Sequence, residues 1–208
     1  MHIRQEQPKD YRASEELTRE AFWNVYRPGC LEHYVLHNFR TQPQYIKELA
    51  FVMEDAEAHI VGHIMFAKAS VALDDGSLLP VLTFGPLSIH PSLQRKGLGL
   101  RLLQHALAVA KEMGYGAVCM EGNYQFYRHA GFVLASSLGL HYHGEPRESE
   151  VPYFLATELI PNYLRKQEGT YAPPQPYFAA AEIATEFAEY EATFPYKEKL
   201  KLPTQLFE

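Results

Sequence analysis

The 208-residue sequence predicts an α/β fold built on one mixed sheet. Runs rich in Val, Ile and Phe alternate along the chain with segments whose apolar residues recur at helical spacing. Three central runs are separated by short turn formers such as "DDGS", and connections this tight require antiparallel strands. A long helix then leads to "AVCME", which should return beside the third run as a right-handed parallel crossover.

The first half of the chain is predicted to form a strand, two helices and three strands. "HIRQEQ" can be the first strand. "SEELTREAFWNVY" has Leu17, Ala21, Phe22 and Val25 at helical spacing, with Ser14 as a candidate N-cap. "LEHYVLHNFR" indicates a second helix. The three strands are expected in "LAFVMED", "AHIVGHIMFAKASVAL" and "LPVLTFGPLSI".

The second half is predicted to complete the sheet around a long helix. This helix should run from Gly97 to Met113 and stop at Gly114. Its apolar face comprises Leu102, Leu103, Ala106, Ala110 and Met113. "AVCME" is a short buried strand, and "NYQFYRHAG" is a short helix with Asn123 as N-cap and Gly131 as its stop. "FVLAS" and "PYFLATEL" are the last predicted strands.

The chain changes character from about residue 165. "GTYAPPQPY" indicates a Pro-rich linker. "AAAEIATEFAEYEATF" indicates an amphipathic helix, with Ile183, Phe187, Tyr190 and Phe194 on one face. We therefore expect a main domain over residues 1–162, followed by a linker and helical extension over residues 163–208.

Composition and charge exclude several classes of protein. Hydrophobic residues make up 47% of the chain and charged residues 21%, which is typical of proteins with a buried core. The net charge of −6 offers no global attraction to nucleic acid or to an anionic membrane. No apolar run approaches the ~18 residues of a membrane span, and the first residues lack an apolar signal segment. Cys30 and Cys119 have no metal-ligand spacing and are expected as reduced thiols of a cytoplasmic protein.

The stretch "QRKGLG", residues 94–99, is named the glycine loop here. Gly97 and Gly99 let backbone approach a ligand at the positive end of the following helix, where Arg95 and Lys96 add charge. This arrangement suits phosphate. A P-loop motif is absent, and Leu102 stands where a dinucleotide fold needs its third glycine. The alternative is a tight turn that needs only flexibility.

The glycine loop lies within a longer resemblance. "FGPLSIHPSLQRKGLG" resembles the acetyl-CoA signature of the GNAT N-acetyltransferases, whose glutamine and two glycines match Gln94, Gly97 and Gly99. "NYQFYRHAGF" resembles a second family element, with Tyr127 four residues before Gly131. The pattern is similar to a subgroup of predicted bacterial acetyltransferases and covers about residues 1–160.

The resemblance implies a GNAT acyl-CoA N-acyltransferase fold, in which the strand before the glycine loop splays from its neighbour. Residues 1–162 would be the GNAT domain. Pantetheine would enter the gap and pair with the strand, one backbone N–H would polarise the acetyl carbonyl, and the diphosphate would lie on the N–H groups of the glycine loop. The residues implied to contact acetyl-CoA are Leu87, Ser88, Ile89, Gln94, Arg95, Lys96, Gly97, Leu98, Gly99, Leu100, Asn123 and Tyr127.

Acetyl transfer to an amine needs a neutral amine and a proton for the departing thiolate. A tyrosine phenol can supply that proton, and the match to the family makes Tyr127 the candidate general acid. Tyr127 can instead be a packing aromatic, and Tyr124, on the same helix face, is its competitor. Asn123 can contact CoA, cap the short helix, or do both.

The general base is less well defined by the sequence. The histone-acetylating branch has a glutamate eleven residues before Gln94, and Thr83 stands there in this chain. Glu54 and Glu121 are the remaining candidates, although each also suits an exposed strand end.

Histidines offer two further possibilities. Two pairs share a helix or strand face, namely His33 with His37 and His59 with His63. Without a Glu or Cys at ligand spacing we expect no metal site. His141 and His143 lie where the acceptor cleft should open and are candidate substrate contacts.

The leading hypothesis is an acetyl-CoA-dependent N-acetyltransferase in which an amine attacks the thioester directly. The acceptor would be a small molecule or a peptide, with neither nucleic acid nor a membrane as partner. A non-catalytic acyl-CoA sensor is the alternative. A third possibility is an interaction protein that assembles through the helix at residues 180–195. The chain is expected to be a monomer or a homodimer.

Overall fold

The computed structural model describes residues 1–164, 168–178 and 184–206. In that part of the chain nine strands form one sheet. The strands are β1 (His2–Gln5), β2 (Phe51–Glu54), β3 (Ile60–Leu73), β4 (Leu78–Ile89), β5 (Ala117–Glu121), β6 (Val133–Leu134), β7 (Leu140–Tyr142), β8 (Phe154–Glu158) and β9 (Gly169–Tyr171). The helices are α1 (Tyr11–Phe22), α2 (Glu32–Phe39), α3 (Leu98–Glu112), α4 (Tyr124–Tyr127) and α5 (Ala184–Glu191).

The sheet is mixed, as the sequence predicts. Its order is β1-β2-β3-β4-β5-β8-β6, and β9 pairs with both β3 and β7. The first four strands are antiparallel neighbours. The pairing of β4 with β5 is parallel, and α3 forms the crossover between them. Antiparallel pairs at β5/β8, β6/β8 and β3/β9 and a parallel pair at β7/β9 complete the sheet.

The predicted face of α3 packs against the sheet, except at its end. Leu102, Leu103, Ala106 and Ala110 are fully buried. Met113 is 44% exposed, so its assignment to this face is wrong. The helix ends at Glu112 and Met113 is its C-cap residue, followed by Gly114 with φ of 86°. The chain therefore turns away before the Met113 side chain can reach the core.

Helix α1 begins earlier than predicted. A 3-10 turn over Pro8–Asp10 leads directly into Tyr11, and proline at a first helical position favours such a start. Ser14 is consequently a buried residue inside α1, and its hydroxyl donates to the Asp10 carbonyl at 3.1 Å rather than capping the helix. Val25 lies beyond the end of α1 and is 43% exposed.

The segment after β8 is more ordered than a linker. Gly169–Tyr171 adds β9 to the edge of β3, so the linker prediction is wrong at these residues. A Cβ at Gly169 would lie 2.8 Å from the Ala72 carbonyl oxygen, which explains the glycine at this close approach. Strand β7 was not predicted, and "FVLAS" provides only Val133–Leu134. The domain boundary at residue 162 stays a prediction.

Helix α5 packs on the body of the protein. The Phe187 and Tyr190 rings lie 5.4 Å and 5.1 Å from the Tyr34 ring of α2. The Glu191 carboxylate accepts hydrogen bonds from Arg19 at 2.5 Å, and it lies 2.8 Å from His33 Nε2. Ile183, predicted on the same face, lies outside the described residues.

Candidate active site

The strands β4 and β5 separate soon after they meet. Their parallel register comprises a single position, Leu82 opposite Val118. Strand β4 continues to Ile89 and stays paired with β3 on its other side. Gly85 and Pro86 follow within β4, just beyond its paired position with β5, where the register with β3 shifts, and Pro86 has no N–H to offer a neighbouring strand. The backbone edge of β4 that faces β5 is therefore open from Thr83 onward.

A cavity of about 470 Å³ lies at this gap, and we call it the cavity throughout. Strand β4 contributes residues 83–87, and β5 contributes Met120 and Glu121. Helices α1 and α2 and the segment after β8 supply further lining residues. The cavity therefore forms where two neighbouring strands part and helices cover the gap.

Tyr127 lines the cavity from α4, directly after β5. Asn123 caps this helix, since its side-chain oxygen accepts the Gln125 N–H at 2.8 Å. The half-buried Tyr127 ring packs on Phe84 at 5.7 Å and lies against Gly122, where an added Cβ would be 2.4 Å from Tyr127 Cε2. Burial, with a smaller contribution from Tyr26, raises the pKa of the Tyr127 phenol well above its usual value.

The Tyr127 hydroxyl has no hydrogen-bond partner among the residues that the structure describes. A neutral phenol of this kind can donate its proton to a ligand in the cavity. Tyr124, the competing candidate, packs on the hydrophobic core and is not a lining residue. The structure thus brings Tyr127 to the cavity, and its role as general acid stays a prediction.

The glycine loop is an open backbone cradle at the start of α3. Gly97 is the N-cap residue with φ of 78°, and a Cβ added there would meet nothing within 4 Å. The first backbone hydrogen bond of the helix runs from Arg101 N–H to the Gly97 carbonyl at 3.0 Å. The N–H groups of residues 98–100 precede it and have no intrahelical acceptor. This geometry fits an anion such as a diphosphate.

The other polar residues of the loop shape it. The Gln94 side chain donates to the Ile89 carbonyl at 3.0 Å and ties the loop to the end of β4. The Lys96 ammonium donates to the Ser92 carbonyl at 3.0 Å. Arg95 has φ of 60°, a left-handed conformation that turns the chain into the helix. Gln94 therefore acts on the loop conformation in this structure.

The three β4 residues predicted to pair with pantetheine connect the cavity to the glycine loop. Leu87, Ser88 and Ile89 pair with β3, opposite Ile64, His63 and Gly62 respectively. Leu87 also lines the cavity, and the buried Ser88 hydroxyl lies 2.9 Å from the Thr18 hydroxyl. Cavity, open strand edge and cradle thus follow one another along the same stretch of chain.

Two carboxylates line the cavity. Glu121, at the exposed end of β5, accepts a hydrogen bond from the Tyr142 hydroxyl at 2.8 Å. Desolvation raises the pKa of Glu121, and the bond from Tyr142 partly opposes this shift. Glu32 begins α2. Burial raises its pKa, and hydrogen bonds from backbone N–H groups and the charge of Arg27 partly oppose this shift. Glu54 lies elsewhere, in an ion pair with Arg4 at 2.6 Å, so the structure does not bring it to the cavity.

The family model for the Acetyltransferase (GNAT) family matches residues 11–132. This stretch is more than half of the chain and contains α1, strand β4 with its open edge, the glycine loop and Tyr127. The chain belongs to the GNAT acetyltransferase family.

Solved GNAT structures have the same fold. A GNAT family N-acetyltransferase from Escherichia coli in complex with CoA is 24% identical over 85% of this chain and 91% of its own, with a TM-score of 0.72. A GNAT family acetyltransferase from Brucella melitensis in complex with acetyl-CoA is 23% identical over 85% of this chain and 97% of its own, with a TM-score of 0.66. No curated protein sequence matches the chain.

The remaining predictions for this GNAT chain concern its histidines. His141 and His143 do not line the cavity, and His141 Nδ1 lies 2.8 Å from the Arg147 carbonyl. Their role as substrate contacts stays a prediction. The four paired histidines face carboxylates. The partners are Glu191 for His33, Glu15 for His37, Asp55 for His59 and Glu6 for His63. Both cysteines are free, as predicted, and the structure places both in buried positions.

Sequence reasoning missed Glu32 and Tyr142. Glu32 starts a helix distant in sequence from β5, and only the packing of α2 brings it to the cavity. Tyr142 lies on β7, a strand too short to show a pattern. Among the described residues, no helix is long and apolar enough to cross a membrane. The cytoplasmic location stays a prediction.

Proposed function

We propose that this GNAT chain transfers the acetyl group of acetyl-CoA to a primary amine by direct attack within a ternary complex. The observation that carries the proposal is the position of Tyr127. Its phenol lines the cavity beside the open edge of β4, and that edge leads to the glycine cradle. The order of these three sites, from Tyr127 through the open strand edge to the glycine loop, therefore matches the order of thioester, pantetheine and diphosphate in acyl-CoA.

The residues at the cradle fit the diphosphate of CoA. Gly97 leaves the backbone accessible, and the first N–H groups of α3 lie at the positive end of the helix dipole. The open edge of β4 at residues 87–89 offers main-chain groups to the amides of pantetheine, as in strand addition. The relatives from E. coli and B. melitensis contain CoA and acetyl-CoA, which supports the same ligand here.

The lining residues account for the proton transfers. Glu121 has a raised pKa and can take a proton from the ammonium form of the acceptor. The neutral amine then attacks the carbonyl carbon, so that a C–N bond forms and the C–S bond breaks. Tyr127 gives its proton to the sulfur, because the apolar surroundings that keep the phenol neutral also disfavour a thiolate. The nitrogen of the new amide then loses its second proton to the Tyr127 phenolate, which restores the phenol.

The proposal is tested by thiol release from acetyl-CoA across a panel of primary amines. Tyr127→Phe should lower kcat by about 100-fold, the lower range for general acid catalysis, while the affinity for acetyl-CoA stays near that of the wild type. Tyr124→Phe is the matched control and should retain its kcat. An unchanged kcat in Tyr127→Phe would remove Tyr127 from the mechanism. Binding of acetyl-CoA without turnover of any amine would favour the sensor alternative.

A further inference from the structure

The chain after β8 completes the cavity. Residues 168–178, named the C-terminal segment here, contribute Tyr171, Pro173, Tyr177 and Phe178 to its lining. The segment is attached to the body through β9 and through the Tyr177 hydroxyl, which donates to the Gly85 carbonyl at 3.3 Å. It therefore reaches the gap between β4 and β5 and is placed to contact an acceptor rather than the diphosphate cradle.

The lining of the cavity is rich in aromatic rings. Besides Tyr127, the C-terminal segment brings three rings, and α1, the segment after α1 and β4 bring one each. They are Phe22, Tyr26, Phe84, Tyr171, Tyr177 and Phe178. Of these, Tyr26 and Phe178 are 41% and 45% exposed, so their ring surface remains accessible to a ligand. Aromatic rings contribute most of their binding energy by burying apolar area and by stacking or edge-to-face contact with another ring.

The charges in the cavity favour a single ammonium group. Arg27 and Glu32 both line the cavity; burial raises the pKa of Glu32, and the Arg27 charge opposes this shift by a smaller amount. With Glu121 the lining holds two carboxyl groups and one guanidinium. Glu121 is bonded to the neutral Tyr142 hydroxyl, and no Lys or Arg pairs with it among the described residues. Gly122 alone separates Glu121 from Asn123, the cap of the helix that carries Tyr127. One carboxylate without a basic partner among the described residues thus lines the same cavity as the proposed proton donor.

The size of the cavity agrees with a compact acceptor. About 470 Å³ falls within the range of small-molecule sites. A polyamine or an aminoglycoside carries several ammonium groups, each of which loses water on binding and needs its own anion. Most of the other lining side chains are aromatic or aliphatic.

We infer that the acceptor is a small primary amine whose single ammonium group is attached to an aromatic body, an arylalkylamine. The ammonium lies at Glu121, and the body lies on the rings contributed by α1 and the C-terminal segment. This inference rests on the proposed function, because it names the acceptor for the same site.

The test compares amines and variants in acetyl-CoA-dependent assays. Phenethylamine and tryptamine should have kcat/KM values at least about 100-fold above those of spermidine and of a lysine-containing tripeptide, which corresponds to the ~3 kcal/mol expected for burying one aromatic body. Phe178→Ala should raise the KM for phenethylamine about tenfold and leave that for ethanolamine unchanged. Because Phe178 is half exposed, this change should not unfold the protein.

Tyr196→Ala is the matched control, since Tyr196 is another aromatic of the C-terminal region, is 91% exposed and does not line the cavity. It should behave as the wild type. A preference for spermidine or the tripeptide would overturn the inference while leaving the acetyltransferase proposal intact.

Direct binding separates the two claims if no amine is acetylated. Phenethylamine binding is then measured by calorimetry on the full chain with saturating CoA. Binding that Phe178→Ala weakens and Tyr196→Ala does not would support the inferred ligand class and contradict only the proposed activity. Absence of phenethylamine binding would overturn the inference.

Discussion

Replacing Gly122 with alanine should displace the Tyr127 ring and leave the glycine loop untouched. An alanine Cβ at this position would lie 2.4 Å from Tyr127 Cε2, 2.9 Å from Cδ2 and 3.0 Å from Met120 Cε. Carbon atoms do not approach so closely, so the ring has to move by about 1 Å to reach ordinary contact distance. The glycine loop lies on another element, the start of α3, and should keep its conformation.

The magnitude follows from the size of this movement. A misplacement of about 1 Å of a reacting group costs on the order of 100-fold in rate. Overpacking of this kind also costs about 1–3 kcal/mol of stability, which lowers Tm by roughly 2–12 °C in a chain of this length. We therefore expect Gly122→Ala to lose about 100-fold in kcat, with nearly unchanged affinity for acetyl-CoA.

Gly116→Ala provides the matched control at the other end of β5. Its Cβ would lie 2.2 Å from Tyr163 Cδ2 and Cε2, so the clash with a tyrosine ring is similar, but Tyr163 does not line the cavity. Thermal unfolding and steady-state kinetics are measured on both variants. If Gly116→Ala loses as much kcat as Gly122→Ala, general destabilisation explains the loss and the argument from Tyr127 geometry is refuted.

Three further predictions concern the cradle, the base and a buried histidine. Gly97→Val should weaken acetyl-CoA binding more than tenfold and cost about 1–2 kcal/mol of stability. Gly76→Val is the control, because Gly76 has a similar positive φ and equally open space; it should lose the same stability without affecting binding. Thermal shifts with acetyl-CoA measure both variants, and equal losses of binding would contradict the role of the glycine loop. Glu121→Gln should lower kcat/KM about 100-fold and remove the acid limb of its pH profile; a retained limb would point to another base. Burial lowers the pKa of His33 to about 4. The unfolded chain therefore binds a proton at His33 below pH ~6.5, whereas the native state does not until the pH is much lower. The free energy of unfolding should consequently fall by ~2 kcal/mol between pH 7 and pH 5. Urea titrations measure this fall, and an equal fall in His33→Gln would show that other groups cause it.

The sequence predicts those parts of the fold that depend on local pattern. Helix α3, the cap at Asn123 and the turn glycines follow from periodicity and backbone preference, and the structure confirms them. The register of β4 and β5 at Leu82 and Val118 produces the open edge, and the resemblance to the family implied this splay.

The features that the sequence did not predict depend on tertiary contacts. Strand β9 is only three residues long and exists because β3 extends beyond β2 and offers an edge. Glu32 and Tyr177 reach the cavity from elements far apart in the chain, so no spacing in the sequence relates them to Tyr127. The start of α1 was misplaced because Pro8 initiates a turn that the periodicity of the apolar residues does not reveal.

The central claim is that Tyr127 and the cavity serve acetyl transfer to an amine. Mass spectrometry of the products formed from acetyl-CoA and phenethylamine tests it most directly, with wild type and Tyr127→Phe compared at the same enzyme concentration. The account predicts acetylated amine and free CoA in equal amounts, with formation about 100-fold slower in the variant. Equal rates in the two proteins, or free CoA without any acetylated amine across the panel, would contradict it.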